Sequence, residues 1–154
     1  MKFAFLGVGA LSTPMIRNFA DAGHDVIVWN RTIDKAEKLA SDKIVVAPSP
    51  AEACKDVDVM MSCVSDDDAL HAIFGDAAVF GSLGEGGTHV SMSTCSPAMS
   101  SKLAELAKPK GVTHLTCPVL GRPDFVERKA HRYLCSGDRA AFDRIAPVLD
   151  DVSD

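Results

Sequence analysis

Several common signatures are missing from this chain of 154 residues, and each absence argues against a class of protein. No uninterrupted apolar run is long enough to cross a bilayer, so we predict no membrane span. No cluster of lysine and arginine is present and the formal net charge is -5, so we predict no nucleic-acid partner. The N-terminus begins as a strand with one lysine, so we also expect no signal peptide.

Metal and disulfide signatures are missing as well. The five cysteines are odd in number, and none forms a C-x-x-C pair, which argues against a disulfide framework or a zinc site. The acidic run at residues 66–68 is better explained as a helix cap than as a metal site, so no bound metal is predicted. Thiols kept reduced are typical of the cytoplasm, where we expect this protein. Cys63, Cys95 and Cys117 are interpreted as small packing residues, with a redox-sensitive thiol as the alternative.

What the sequence does contain is an alternation of short apolar runs and helical patterns. Strands are predicted at residues 3–6, 26–29, 44–46, 57–64, 88–92, 112–119 and 131–136. Helices are predicted at residues 11–20, 34–40, 96–107 and 138–149, with shorter ones after residues 49 and 66, and loops at residues 81–87 and 121–129. Strands separated by helices favour a doubly wound, mostly parallel α/β sheet of the Rossmann type, with helices on both faces. We expect residues 1–154 to form one dinucleotide-binding domain.

A glycine-rich turn joins the first strand to the first helix. Gly7 permits a sharp turn, and Gly9 allows a pyrophosphate to approach the backbone. The N–H groups of Ala10 and Leu11, at the positive end of the helix dipole, are predicted to bind that pyrophosphate. Ser12 replaces the third glycine of the G-x-G-x-x-G pattern, a position where another small residue should fit. The alternative is a strand–helix turn without a ligand.

The end of the second strand is basic rather than acidic. Asn30 and Arg31 occupy the place where an NAD site usually carries a carboxylate, and Thr32 and Lys35 follow. A guanidinium can pair with a 2′-phosphate, which a carboxylate would repel. We therefore predict NADP rather than NAD as the cofactor, with contacts from Asn30, Arg31, Thr32 and Lys35. An exposed arginine without a ligand is the alternative.

Five segments together resemble a known family. They are G-V-G at residues 7–9, N-R-T at 30–32, C-V-S-D at 63–66, S-M-S-T-C-S-P at 91–97 and T-C-P-V-L-G-R at 116–122. The pattern resembles the β-hydroxyacid dehydrogenase family, which includes 3-hydroxyisobutyrate and 6-phosphogluconate dehydrogenases, tartronate semialdehyde and glyoxylate reductases, and the related imine reductases. The resemblance implies hydride transfer between a nicotinamide and a small hydroxyacid or semialdehyde.

The resemblance also implies further site residues. Val64, Ser65 and Thr94 would lie beside the nicotinamide ribose. Ser93 and the segment Leu120, Gly121 and Arg122 would bind the substrate. Leu120 stands where the family usually has a serine and Arg122 where it has a glycine, so Arg122 is either a substitute anion contact or a surface side chain. Leucine at this position also keeps open an imine reductase-like specificity.

Family members carry an all-helical C-terminal domain that supplies a catalytic lysine and much of a homodimer contact. We expect this domain to be absent from the sequence, and no lysine here matches its motif, so no catalytic residue is predicted. The chain alone should bind cofactor without turning over substrate, and the full-length protein is expected to be a homodimer. The alternative is a non-catalytic NADP-binding sensor or regulatory module.

Overall fold

The computed structural model describes residues 1–153, which form nine strands and eight α-helices. The strands are β1 (Lys2–Leu6), β2 (Asp25–Trp29), β3 (Ile44–Val46), β4 (Val59–Ser62), β5 (Thr88–Ser91), β6 (Thr113–Thr116), β7 (Val119–Leu120), β8 (Arg132–Tyr133) and β9 (Ser136–Gly137). The helices are α1 (Ser12–Asp21), α2 (Ile33–Glu37), α3 (Pro50–Ala53), α4 (Asp67–Phe74), α5 (Ala78–Leu83), α6 (Pro97–Ala107), α7 (Pro123–Glu127) and α8 (Arg139–Asp150). Within the described part of the chain, none of these helices has the length and apolar character needed to span a bilayer.

Seven strands form one sheet in the order β3-β2-β1-β4-β5-β6-β9. All neighbours are parallel except β9, which runs antiparallel to β6. The strand order reverses between β1 and β4, and Leu6 at the end of β1 is in register with Trp29 of β2 and Ser62 of β4. The prediction of a doubly wound, mostly parallel sheet is confirmed. This topology leaves a crevice at the carboxyl ends of β1, β2 and β4, where open sheets bind ligands.

Each face of the sheet is covered by helices over its own hydrophobic core. Phe3 and Phe5 of β1 point to one face and pack with Phe19 of α1, whose ring lies 5.0 Å from that of Phe3. Ala4 and Leu6 point to the other face, into a cluster that contains Phe74 of α4. Because side chains alternate along a strand, the four buried residues of β1 anchor both layers.

The predicted loop at residues 81–87 is wrong in its first part. Residues 81–83 belong to α5, and Val79, Phe80 and Leu83 of that helix are buried. Apolar spacing therefore outweighs the low helix propensity of Gly81. The helix ends at Gly84, whose positive φ of +81° is a conformation that glycine adopts without strain.

The second correction concerns the predicted polar loop at residues 121–129, which contains α7. Pro123 stands in the first turn of this helix, and Val126 is fully buried against α1. Asn18 of α1 donates a hydrogen bond from its side chain to the Val126 carbonyl, at 2.6 Å. One buried apolar residue in a polar stretch gave too weak a periodic signal for a five-residue helix.

The third correction concerns the two predicted strands at residues 112–119 and 131–136. The first is divided into β6 and β7, and the second into β8 and β9. Strand β6 pairs with β9, and β7 pairs with β8. Pro118 interrupts the first because it has no N–H to give to a ladder, although its carbonyl accepts from the Leu134 N–H at 3.1 Å. We call the outer pair, β7 and β8, the ribbon; it is antiparallel and separate from the main sheet.

A series of hydrogen-bonded polar side chains runs across the strands β4, β5 and β6. The Ser62 hydroxyl and a His89 ring nitrogen lie 2.9 Å apart, and the rings of His89 and His114 approach to 3.0 Å. Thr116 continues the chain from His114 and contacts the Ser100 hydroxyl of α6 at 2.6 Å. Burial lowers the pKa of His89 well below its usual value, and lowers that of His114 to about 4. Both rings are therefore neutral at neutral pH.

Candidate cofactor-binding site

A crevice of about 630 Å³ opens at the carboxyl ends of β1, β2 and β4. Its walls come from the glycine-rich turn, the end of β2, the loop after β4 and one side of α4. Of the predicted cofactor contacts, the residues that line it are Gly7, Gly9, Ala10, Leu11, Asn30, Arg31, Lys35, Val64 and Ser65. Segments far apart in sequence therefore meet in one cavity, of a size typical of small-molecule sites.

Gly7 is required by the packing of the turn itself. Its φ is +103°, a conformation that side chains disfavour. A Cβ atom at this position would lie 2.3 Å from the Cys63 carbonyl oxygen and 2.8 Å from Val64. Its N–H also donates to the Trp29 carbonyl at 2.8 Å. Gly7 thus lets the turn approach both the loop after β4 and the end of β2.

The backbone amides of the turn divide into two groups. The Val8 N–H donates to the Asn30 side chain at 2.9 Å, and the Gly9 N–H donates to the Ser12 hydroxyl at 2.8 Å. Within residues 1–153, the N–H groups of Ala10 and Leu11 have no hydrogen-bond partner. The first turn of α1 carries no acidic side chain that would compete for an anion. The amides free for a ligand therefore include the two named from the sequence, whereas Gly9 provides only space, since a Cβ there would meet nothing closer than 3.9 Å.

Asn30 connects the end of β2 to the glycine-rich turn. Besides accepting from Val8, its side chain donates to the Thr32 carbonyl at 2.8 Å. Both halves of the carboxamide are thus used within the protein. The arrangement fixes the turn against the strand end, so that Arg31 projects from a constrained segment.

Two cations lie on the β2 side of the crevice. Arg31 and Lys35 both line it, and both are exposed. Hydrogen bonds from the Ser65 hydroxyl and the Ala69 amide lower the pKa of Asp66, and the nearby Arg31 cation lowers it further. Asp66 also caps α4 through that Ala69 contact at 2.8 Å, which supports its interpretation as a helix cap. In the described chain, no three metal-ligating side chains cluster.

Three predicted residues that precede the ribbon in sequence do not line the crevice in the part of the chain that the structure describes. Thr32 precedes α2 and presents its carbonyl to Asn30, whereas Thr94 is exposed in the loop after β5. Ser93 is buried, and its hydroxyl accepts from the Val64 N–H at 2.9 Å. Ser93 therefore positions the loop after β4 by holding its backbone.

The predicted substrate segment lies apart from the crevice, at the ribbon. Leu120 is 53% exposed and pairs with Arg132. A Cβ on Gly121 would lie 2.8 Å from His131, so this glycine allows close packing. The Arg122 guanidinium contacts Asp124 at 3.4 Å and lies 5.3 Å from the Phe125 ring centre. Arg122 is thus an exposed cation that is already paired.

Some lining residues were not predicted from the sequence. Ser12, Cys63, Ala69, Ala72 and Ile73 all border the crevice, and Trp29 at the end of β2 lines it as well. The small residues of α4 leave room beside the turn, and Trp29 offers an aromatic surface. The spacing of Ala69 and Ile73 indicated one face of α4, but only the sheet topology shows that part of this face borders a cavity.

Fold and crevice together define a class: a doubly wound domain whose glycine-rich turn faces a ligand cavity at the point where the strand order reverses. Residues 2–154 match the family model of the NAD binding domain of 6-phosphogluconate dehydrogenase. The chain belongs to this family, as the resemblance predicted, and is an NAD(P)-binding domain of the type found in hydroxyacid dehydrogenase-like oxidoreductases.

Curated relatives agree with this family. An uncharacterized oxidoreductase, YfjR, of Bacillus subtilis is 38% identical over 99% of this chain and 54% of its own length. Glyoxylate/succinic semialdehyde reductase 1 of Arabidopsis thaliana is 32% identical over 97% of this chain and 52% of its own length. The cytokine-like nuclear factor N-PAC of Anopheles gambiae is 31% identical over 99% of this chain and 27% of its own length. The chain thus spans about half of the oxidoreductases and about a quarter of the nuclear factor.

Solved structures show the same correspondence. The 3-hydroxyisobutyrate dehydrogenase of Mycobacterium tuberculosis, solved with L-serine, has a TM-score of 0.92 at 25% identity, over 99% of this chain and 52% of that one. An imine reductase of Myxococcus stipitatus in complex with NADP+ has a TM-score of 0.90 at 27% identity, over 99% and 53%. The fold is therefore that of the first half of these enzymes.

Proposed function

We propose that residues 1–154 form the NADP(H)-binding domain of an oxidoreductase that transfers hydride between the nicotinamide and a small hydroxyacid or semialdehyde. The observation that carries the proposal is the pair of free amides at Ala10 and Leu11, which open onto a crevice that Arg31 and Lys35 also line. Oriented N–H groups at a helix start suit a pyrophosphate, and a guanidinium suits a 2′-phosphate.

The residues present fit such a dinucleotide. Ala10 and Leu11 would donate to the pyrophosphate, and the open space beside Gly9 lets it approach the backbone. Trp29, Ala69 and Ile73 offer apolar contacts for an adenosine, while Arg31 and Lys35 would hold its phosphate. Asp66 lies near Arg31 but is fully exposed, so its competition for the guanidinium is weak.

When bound, the nicotinamide supplies or accepts the hydride. The loop at Val64 and Ser65 would lie along its ribose, held in place by Ser93, and Thr94 would approach from the loop after β5. On the substrate side, the Leu120 side chain offers no hydrogen bond, and the N–H of Gly121 and the cation of Arg122 are the groups suited to an anion. The name of the Arabidopsis thaliana relative supports a semialdehyde-type substrate.

A non-catalytic NADP-binding module is the second candidate. The Anopheles gambiae relative, named as a nuclear factor, shows that the same domain occurs under a name that describes no reductase. An imine reductase-like specificity is a weaker candidate, supported by Leu120 and by the Myxococcus stipitatus structure. A longer form of this protein that binds NADPH but reduces neither semialdehydes nor cyclic imines would favour the module. By analogy with its family, we propose a cytoplasmic homodimer for the full-length protein.

Cofactor binding is tested by titrating the 154-residue chain with NADPH and NADH and following the fluorescence of Trp29, the only tryptophan. We expect NADPH to bind more tightly. Arg31→Ala should weaken NADPH about ten- to a hundredfold and leave NADH nearly unchanged, since a hydrogen bond to a charged group contributes about 1.5–3 kcal/mol.

The matched control is Lys38→Ala, which removes an exposed cation that follows α2 and does not line the crevice. It should leave both affinities within twofold, a difference of about 0.4 kcal/mol. Equal loss of both cofactors in Arg31→Ala would contradict a role in phosphate selection. No saturable binding of either cofactor to a folded chain would overturn the proposed function itself.

A further inference from the structure

We infer that Cys117 and Cys135 form a reversible dithiol site, in which the two residues join into a cross-strand disulfide when the protein meets a hydroperoxide. The inference begins with strand register. Thr116 of β6 pairs with Ser136 of β9, and Val119 of the ribbon pairs with Tyr133. Continuing either ladder to the gap between them sets Cys117 opposite Cys135.

The hydrogen bonds around the pair show which kind of antiparallel position it occupies. The Cys117 N–H donates to the Ser91 carbonyl of β5 at 2.7 Å, away from the strand that carries Cys135. The next pair along the ladder, Pro118 and Leu134, carries the inter-strand bond instead. Cys117 and Cys135 therefore form a non-hydrogen-bonded pair, in which Cα atoms are about 4.5 Å apart.

That spacing lies at the short end of the range that disulfides span, about 4.4–6.8 Å. Opposed Cβ atoms in sheets are about 4.5–5.5 Å apart, whereas disulfides prefer about 3.8 Å. Closure thus requires a movement of about 1 Å or slightly more, with the strand ends adjusting. A bond made under such strain is readily reduced again, as reversible disulfides are.

The two thiols differ in a way that assigns their roles. Cys117 is fully buried, and burial raises its pKa, with the neighbouring Cys135 raising it further. Cys135 is half-buried and borders a cavity of about 300 Å³ between the ribbon and α8, so a small oxidant can reach it. Burial raises the pKa of Cys135 as well, but a hydrogen bond with Cys117 offsets part of that rise. Cys135 is therefore the attacking thiol and Cys117 the resolving one.

The reaction balances with the hydroperoxide as oxidant. The Cys135 thiol loses its proton, and the thiolate attacks one peroxide oxygen, which forms an S–O bond and breaks the O–O bond. The leaving oxygen takes up the proton that Cys135 released and departs as water or an alcohol, and Cys135 is left as a sulfenic acid. The Cys117 sulfur then attacks the Cys135 sulfur, which forms the S–S bond and breaks the S–O bond. The departing oxygen leaves as water with the Cys117 proton. Two electrons pass from the thiols to the peroxide.

The position of the bond gives it a structural effect. It would join the end of β6 to the segment before β9, at the base of the ribbon that carries Leu120 and precedes Arg122. Oxidation would therefore restrict the ribbon while leaving the glycine-rich turn unchanged. This inference does not depend on the proposed cofactor.

The test treats the folded chain with hydrogen peroxide and maps the cysteines by peptide mass spectrometry. We expect an intramolecular disulfide between the peptides of Cys117 and Cys135, marked by the loss of two hydrogen atoms and reversed by dithiothreitol. Its rate should rise from about pH 7 to about pH 9, because only the thiolate attacks.

Two variants separate the roles. In Cys117→Ala, Cys135 should stop at the sulfenic acid and be trapped by a dione reagent. In Cys135→Ser, which alters the more accessible residue, Cys117 should stay reduced. Cys54→Ser is the matched control, because Cys54 lies in the core of the opposite face and should not affect the bond. Thiols that stay free in the folded protein, a disulfide to Cys63 instead, or direct passage of Cys135 to sulfinic acid in the unsubstituted chain would each overturn the inference.

Discussion

The crevice and the ribbon lie near the same edge of one sheet, yet they are built on different principles. Around the crevice, parallel strands place their ends side by side, and each turn amide has a defined use: Val8 and Gly9 bond within the protein, whereas Ala10 and Leu11 remain free. Around the ribbon, two-residue strands pair only with each other, and Leu120 and Leu134 are more than half exposed. The crevice is therefore defined by backbone geometry, whereas the ribbon presents side chains.

This difference indicates which function each region can serve. Backbone amides held by parallel strands tolerate many changes of side chain, so they suit a cofactor common to a whole family. Exposed side chains on a short ribbon vary without disturbing the core, so they suit the choice of substrate. Leu120 and Arg122, which depart from the family pattern, lie in or directly after the ribbon.

The largest expected effect comes from a substitution in the glycine-rich turn of the crevice. Gly7→Ala places a Cβ 2.3 Å from the Cys63 carbonyl oxygen at a φ of +103°. The clash is with backbone and cannot be relieved by turning a side chain. We expect a loss of at least about 3 kcal/mol in the free energy of unfolding, measured by urea denaturation.

Gly23→Ala is the matched control for that experiment. Gly23 also has a positive φ, +92°, but a Cβ there meets nothing within 4 Å. Only the conformational cost remains, about 1–2 kcal/mol. Equal losses in the two variants would show that the turn is less tightly packed against Cys63 than its geometry indicates.

A smaller effect is expected from acid, and it should act first on β6 and β9, at the side of the main sheet from which the ribbon extends. The folded-state pKa of His114 is lowered to about 4 from an ordinary 6.5, so the unfolded chain binds a proton that the folded chain excludes. Stability is fully present above about pH 6.5 and falls as the pH drops towards 4, by at most about 3 kcal/mol for this residue. His89 acts in the same direction.

Hydrogen exchange at about pH 5 and pH 7 measures this loss by region. Amides of β6, which contains His114, and of β9, which pairs with β6, should lose protection before those of β1 and β2. His114→Gln should reduce the pH dependence, whereas His71→Gln, at an exposed ring, should leave it unchanged. Uniform loss across the sheet would argue against the buried histidines as its source.

The smallest expected effect concerns Arg122. Its contact with Asp124 is exposed, with 75% of the arginine side chain accessible. Arg122→Ala should therefore change the free energy of unfolding by less than about 0.5 kcal/mol, and NADPH affinity should stay the same. A change in either quantity, measured by urea denaturation or Trp29 fluorescence, would mean that the ribbon and the crevice are coupled in this chain.

The crevice and the ribbon also differ in how well their structures are predicted from the sequence. Apolar runs bounded by glycine or capping residues predicted β1, α1, β2 and β3 to within a residue or two, because each buries a periodic face. The free amides were also predictable, since a glycine-rich turn before a helix has few conformations. Ser12 and Asn30 as internal partners of the turn were not, because nothing local indicates which side chain reaches which N–H.

The ribbon region was mispredicted for a physical reason. Its strands are two residues long and are stabilised by partners about a dozen residues away in sequence, so no periodicity develops. Pro118 was a local sign of a break, but the strand was extended through it. Helix α7 is held by a single buried valine and by Asn18, which lies more than a hundred residues earlier in the chain.

One contact outside both regions has a practical consequence. His24 lies 3.0 Å from the Met1 amino group and 3.0 Å from the Asp151 carboxylate, so residues near both ends of the described chain share one imidazole. Because His24 immediately precedes β2, this meeting point lies at the amino edge of the sheet, away from the crevice. A surface linker or fluorescent label attached at Met1 would leave cofactor access open, and a second label near Asp151 would report unfolding as the separation of two adjacent dyes.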